Sequence, residues 1–134
     1  MSASLNPDLI VTDLERSVRF YAEALGLKEV DRVTGPDGPF FALMERDGFR
    51  IMMETPKSPD PTTKGLLERQ GATPRATVNF WTLVPEVAAE ERRLKAAGIA
   101  FHGPVVKPYG MKEVSFQDPD GYLWTLAERV EAKS

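Results

Sequence analysis

Few side chains in this 134-residue sequence are equipped for chemistry, and the gaps narrow the field. With no cysteine and a single histidine, His102, there is no thiol nucleophile, disulfide, thiolate metal site or multi-histidine site. Carboxylates remain. Asp8 and Glu54 can offer negative charge to a cationic ligand, or act as general bases where burial raises their pKa. Arg50 lies further along the strand face of Glu54, so the spacing predicts an internal ion pair in preference to a ligand carboxylate. Trp81 supplies a flat ring for stacking on a planar ligand or a cation, and Met52 a polarisable side chain that fits irregular shapes. His102, just before Gly103-Pro104 near the end of a short strand, reads as a surface loop residue.

The elements that must position these groups follow from hydrophobic period and turn chemistry. Lys112 to Arg129 reads as a β-hairpin around Asp118-Pro119-Asp120-Gly121, with Val114 and Phe116 alternating against Glu113, Ser115 and Gln117. Leu5 to Val11 predicts a strand, and Asp13 the N-cap of a helix that carries Leu14, Val18, Tyr21 and Leu25 to a stop at Gly26. Lys28 to Val33 predicts a strand, Gly35 to Pro39 an exposed loop, and Phe40 to Arg46 and Phe49 to Glu54 a hairpin turned at Asp47-Gly48. Thr55 to Pro74, with Pro56, Pro59, Pro61 and Pro74, has a linker's composition, with room for a helical turn at Leu66 and Leu67. Then the pattern restarts: strand Ala76 to Val84, helix Val87 to Ala97 stopped by Gly98, short strand Ile99 to His102, and the hairpin. Glu90-Glu91-Arg92-Arg93 reads as the wet face of that second helix.

A hydrophobic content of 42% suffices for a core, and a net charge of −3 provides no basic field for nucleic acid. No apolar run approaches the roughly 18 residues of a membrane span, and the first residues lack a secretory signal's apolar region, so a cytoplasmic protein is expected. The restart is an internal repeat. Val84 lies 73 residues after Val11, Glu86 73 after Asp13, Gly98 72 after Gly26, and Gly121 73 after Gly48. This gives an α+β fold of two tandem βαβββ modules, residues 1–54 and 75–134, joined by a linker at 55–74 within one compact domain.

With Ser17-x-x-Phe20-Tyr21 and Leu25-Gly26 in the first module, and Tyr109-Gly110 leading to the Asp118–Gly121 turn in the second, the chain resembles the vicinal-oxygen-chelate superfamily. That superfamily includes glyoxalase I, extradiol dioxygenases and bleomycin-resistance proteins, and the similarity spans Asn6 to Glu128. It implies a curved mixed sheet around a cleft. Metal-dependent members place His, Glu or Gln ligands at positions that here fall on Asn6, Met52, Asn79 and Thr125. None of these is a usual ligand for a divalent cation, so no metal and no other cofactor is expected. Strand alternation from those positions predicts Asn6, Asp8, Ile10, Arg50, Met52, Glu54, Asn79, Trp81, Leu83, Leu123 and Thr125 on the cleft face. The other parity, Leu9, Val11, Ile51, Met53, Phe80, Val84, Trp124 and Leu126, should pack beneath the helices. Tyr109 and Lys112 fall where this superfamily borders its cavity mouth.

The resemblance points to a metal-free homodimer that sequesters a hydrophobic or aromatic, partly cationic compound. Its expected ligand contacts are Asn6, Asp8, Met52, Glu54, Asn79, Trp81, Tyr109, Lys112 and Thr125, with no catalytic residue assigned. The alternative is a lyase, isomerase or dioxygenase that recruits an ion through other residues or uses Glu54 as a base without metal.

Overall fold

The structure, a computed structural model, describes residues 4–70 and 78–130. Two compact units divide the chain, with Glu23–Leu25 grouped in the second. The first contains β1 (Asp8–Ile10), α1 (Leu14–Leu25), β2 (Lys28–Gly35), β3 (Gly38–Arg46), β4 (Phe49–Glu54) and α2 (Pro61–Gln70). The second contains β5 (Asn79–Leu83), α3 (Val87–Ala96), β6 (His102–Lys107), β7 (Met111–Gln117) and β8 (Leu123–Arg129). Each unit builds one four-stranded sheet, in the order β1-β4-β3-β2 and β5-β8-β7-β6. In both, the first strand pairs parallel to the last and the remaining pairs are antiparallel.

The register carries the repeat down to single residues. Asp8 faces Met52 and Ile10 faces Glu54, and adding 73 to every number gives the observed pairs Trp81–Thr125 and Leu83–Ala127. The third strands correspond at an offset of 72, so Phe41, opposite Glu54, corresponds to Glu113, opposite Ala127.

Local chemistry explains the helices. The Asp13 carboxylate accepts the Arg16 N–H at 3.1 Å, and Gly26 closes α1 at φ 68°, a left-handed conformation that glycine adopts without strain. Leu14, Tyr21, Ala24 and Leu25 are buried along it. At α3 the repeat loses its cap. Glu86 makes no capping hydrogen bond, and Glu128 on β8 accepts the Val87 N–H at 2.9 Å instead. α3 packs on β7 and β8.

Several bounds differ from the sequence expectation. β2 and β3 extend into the Gly35–Pro39 segment, leaving Pro36 and Asp37 as the turn. The short strand expected at Ile99 to His102 instead begins at His102 and runs to Lys107, because pairing with Met111–Ser115 outweighs the Gly103-Pro104 interruption and leaves a bulge between His102 and Val105. Within the 55–74 linker, residues 61–70 form α2, started by Asp60, whose carboxylate accepts the Thr62 N–H at 3.0 Å, and by Pro61 in the first turn. Ala76 and the linker's last residues lie outside the described residues.

Candidate functional site

Side-chain alternation sorts each sheet into a buried and an open face. In the first unit Leu9, Ala42, Met44, Ile51 and Met53 share the buried face, as expected of the apolar parity. The opposite face carries Asp8, Ile10, Phe41, Arg50, Met52 and Glu54. Here a cleft of about 510 Å³ is lined by Val33, Phe40, Phe41, Met52, Asp8 and Glu54, among others. Ile10 is buried even though it sits on this side.

Glu54 is buried and accepts the Ser58 hydroxyl at 2.8 Å. Burial opposes its charge, but hydrogen bonds from Asp8, Ser58 and Thr63 outweigh that cost and hold its pKa below the ordinary value. Asp8 is the complement. Partial desolvation of its carboxyl, then the hydrogen bond to Glu54 and the charges of Glu54 and Asp60, push it up to about 7. Below a pH of about 7 the pair therefore holds one proton, on Asp8, although Asp8 as a residue remains exposed. Arg50 corrects the sequence reading: it pairs with Glu45 at 2.9 Å, because antiparallel pairing sets these two directly opposite, while Glu54 is occupied by hydroxyls and Asp8.

In the second unit Val114, Phe116, Trp124 and Leu126 are buried on the face beside α3. The open face carries Asn79, Trp81, Leu83, Glu113, Ser115 and Thr125. Asn79 Oδ1 accepts the Thr125 hydroxyl at 3.0 Å, and Thr125 in turn lies 3.0 Å from the Ser115 hydroxyl. Beside this polar ladder, one oxygen of Glu113, Oε2, accepts both the Trp81 indole N–H at 3.0 Å and the Tyr109 hydroxyl at 2.7 Å. The indole reaches it across β8 because the residue opposite both Leu83 and Glu113 is Ala127, whose methyl group leaves the path open. Glu113 is only 6% exposed, whereas Trp81 is 46% and Tyr109 62% exposed. The hydrogen bond to Glu113 raises the Tyr109 pKa.

Of the residues expected to line a site, Asp8, Met52 and Glu54 come together in the first unit, and Asn79, Trp81, Tyr109 and Thr125 in the second. Asn6 donates to Ser4 at 3.2 Å. Lys112 belongs to the other parity: it shares a face with Val114 and Phe116, opposite Glu128, so it turns away from Trp81. The strand alternation that set Glu113 apart from Val114 also marks it as the open-face residue, a signal the sequence reading used only to define the strand. His102 is exposed at the start of β6.

The superfamily's metal positions do not suit a cation here. Asn79 and Thr125 bond to each other, Asn6 bonds to Ser4, and Met52 offers a thioether where carboxylate or imidazole is required. Among the described residues no three His, Cys, Asp or Glu side chains converge on a point.

Residues 5–126 match the glyoxalase/bleomycin resistance protein/dioxygenase superfamily. The chain belongs to that superfamily. An uncharacterised protein of Mycobacterium bovis is 30% identical over 136 aligned positions, covering 95% of this chain and 84% of the relative. Among solved structures, TioX from Micromonospora sp. ML1 superposes with a TM-score of 0.76 at 19% identity, covering 96% of this chain and all of TioX, 100%. TnmS3, an antibiotic binding protein from Streptomyces sp. CB03234, gives 0.71 at 23% identity, with coverage of 96% and 97%. A bleomycin resistance determinant encoded on transposon Tn5 gives 0.69 at 20%, with coverage of 96% and 98%. At these identities the structural likeness carries the fold, and the chemistry must come from this chain's own residues. Among the described residues no helix is long and apolar enough to cross a membrane.

Proposed function

We propose that this superfamily member is a metal-free small-molecule-binding protein that sequesters a hydrophobic or aromatic compound in the cytoplasm. One observation carries the reading: an indole on the open face of the second sheet and a phenol from the turn between β6 and β7 stand exposed, both fixed by the carboxylate of Glu113. Exposed aromatic rings of fixed orientation lose little entropy on contact and present flat apolar surface, which suits stacking on a planar ligand. Leu83, 54% exposed on the same face, extends that surface. The aromatic walls and acid pair of the first-unit cleft are of the same character. The antibiotic-binding description of TnmS3 supports the choice of ligand class. Exposed Val30 and Val33 on β2 and Val105 and Val106 on β6 support a homodimer, to be checked by sedimentation velocity.

Tryptophan fluorescence titration against planar antibiotics and aromatic metabolites tests the reading. Saturable quenching is expected for at least one planar compound; silence across the panel from folded protein would sink it. A second reading, a lyase or isomerase with Glu54 as base, is favoured by the shared proton of Asp8 and Glu54, since an ionised carboxylate beside a protonated one is a ready acid–base couple. Turnover abolished by Glu54→Gln would select it.

A further inference from the structure

Glu113 has an acceptor oxygen that the aromatic platform does not use. A carboxylate can accept hydrogen bonds at both of its oxygens. Among the described residues no lysine or arginine pairs with Glu113, and both of its hydrogen bonds fall on Oε2. Oε1 accepts no hydrogen bond from any described residue and is not withdrawn from solvent, so it is open to a ligand. The two donors are ring edges, an indole N–H and a phenol O–H, so the carboxylate is flanked by aromatic surface.

Building on the proposed ligand-binding role, we infer that Glu113, Trp81 and Tyr109 form a seat for the protonated amine of the ligand, with an N–H of that amine donating to Oε1. Each part contributes separately. The carboxylate supplies a charge-assisted acceptor, stronger than a neutral one. The two rings, exposed beside the carboxylate, offer flat apolar surface to the aromatic part of the same ligand. The two aromatic donors hold the carboxylate still without neutralising it, which a lysine or arginine in their place would do. The amine thus takes the acceptor oxygen that the platform leaves open, and the site discriminates between a cationic aromatic compound and its neutral isostere. In the first unit the corresponding positions are inverted, with an acid at Asp8 where Trp81 stands and a ring at Phe41 where Glu113 stands. There the acid hydrogen-bonds to a second carboxyl, Glu54, in place of two aromatic donors, so the first unit lacks this seat.

The test uses two planar probes of the same shape, aminomethyl-anthracene and hydroxymethyl-anthracene, titrated at neutral pH into the full-length protein with anthracene fluorescence polarisation as the readout. The amine is expected to bind about tenfold more tightly than the alcohol. Glu113→Gln, which keeps size and an acceptor oxygen, should bring the two to within about twofold. Equal affinities in the unsubstituted protein would overturn the amine seat while leaving the aromatic-binding role intact. Binding of neither probe by folded protein would overturn both. Should the variant fail to fold, the two probes on the unsubstituted protein still decide the matter.

Discussion

Replacing Asp8 with asparagine should remove a pH dependence that the first unit carries in its folding energy. The Asp8 carboxyl holds its proton up to a pH of about 7 in the folded chain, against an ordinary value near 3.8. Below 3.8 folded and unfolded chains both bind that proton. Between 3.8 and about 7 only the folded chain does, so its stabilising contribution is full below the unfolded value and drains away as pH rises through the folded one. At about 1.36 kcal/mol per pH unit, that interval caps the effect at about 4 kcal/mol. Asp8 is exposed, and solvent screening reduces the expected loss to about 1–2 kcal/mol. Glu54 works in the opposite direction, and its contribution is lost only as pH falls below its ordinary 4.5. Urea unfolding at pH 5 and pH 8 therefore isolates Asp8. The unsubstituted protein should be about 1–2 kcal/mol less stable at pH 8 than at pH 5. Asp8→Asn keeps a donor toward Glu54 at every pH, and should be nearly flat across that range and the more stable protein at pH 8. Parallel profiles for the two proteins would refute the shared proton.

Other consequences are simpler. Gly103 sits at φ +101°, and a Cβ there would lie 2.6 Å from the Glu113 carbonyl oxygen, so Gly103→Ala should cost about 2 kcal/mol in chemical denaturation. The Asp118 carboxylate accepts the N–H groups of Asp120 at 2.9 Å and Tyr122 at 2.8 Å, and Asp118→Ala should cost about 1–2 kcal/mol in the same assay. Exhaustive dialysis against EDTA should leave both stability and aromatic binding unchanged; a stoichiometric divalent metal lost on Glu54→Gln or His102→Ala would overturn the metal-free reading.

The fold was legible because its signals are local. Asp13 and Gly26 bracket α1, the Asp118–Gly121 turn fixes the β7–β8 hairpin, and the spacing of such punctuation exposes the repeat that the strand registers then reproduce. The second-unit site was half legible. Trp81 and Thr125 follow from alternation, but Glu113 acquires meaning only when Ala127 lets an indole cross an intervening strand, which is a property of pairing and not of spacing. Arg50 shows the same limit. Its partner lies on the next strand, and a reading along one strand finds Glu54 before Glu45. Leu66 and Leu67 mark only a helical turn in the linker, whereas the ten residues of α2 declare themselves through Asp60-Pro61 at its start.

The two tryptophans provide the most direct measurement of all. Trp81 lies half-exposed on the open face, whereas Trp124, one position off that parity on the neighbouring strand, is 2% exposed in the core. Their indole N–H resonances can be followed separately by heteronuclear NMR during titration with a planar aromatic amine. Ligand binding at the open face predicts a saturable shift of the Trp81 signal, with Trp124 nearly still. Saturable binding that leaves Trp81 unmoved would contradict the assignment of that face as the binding site.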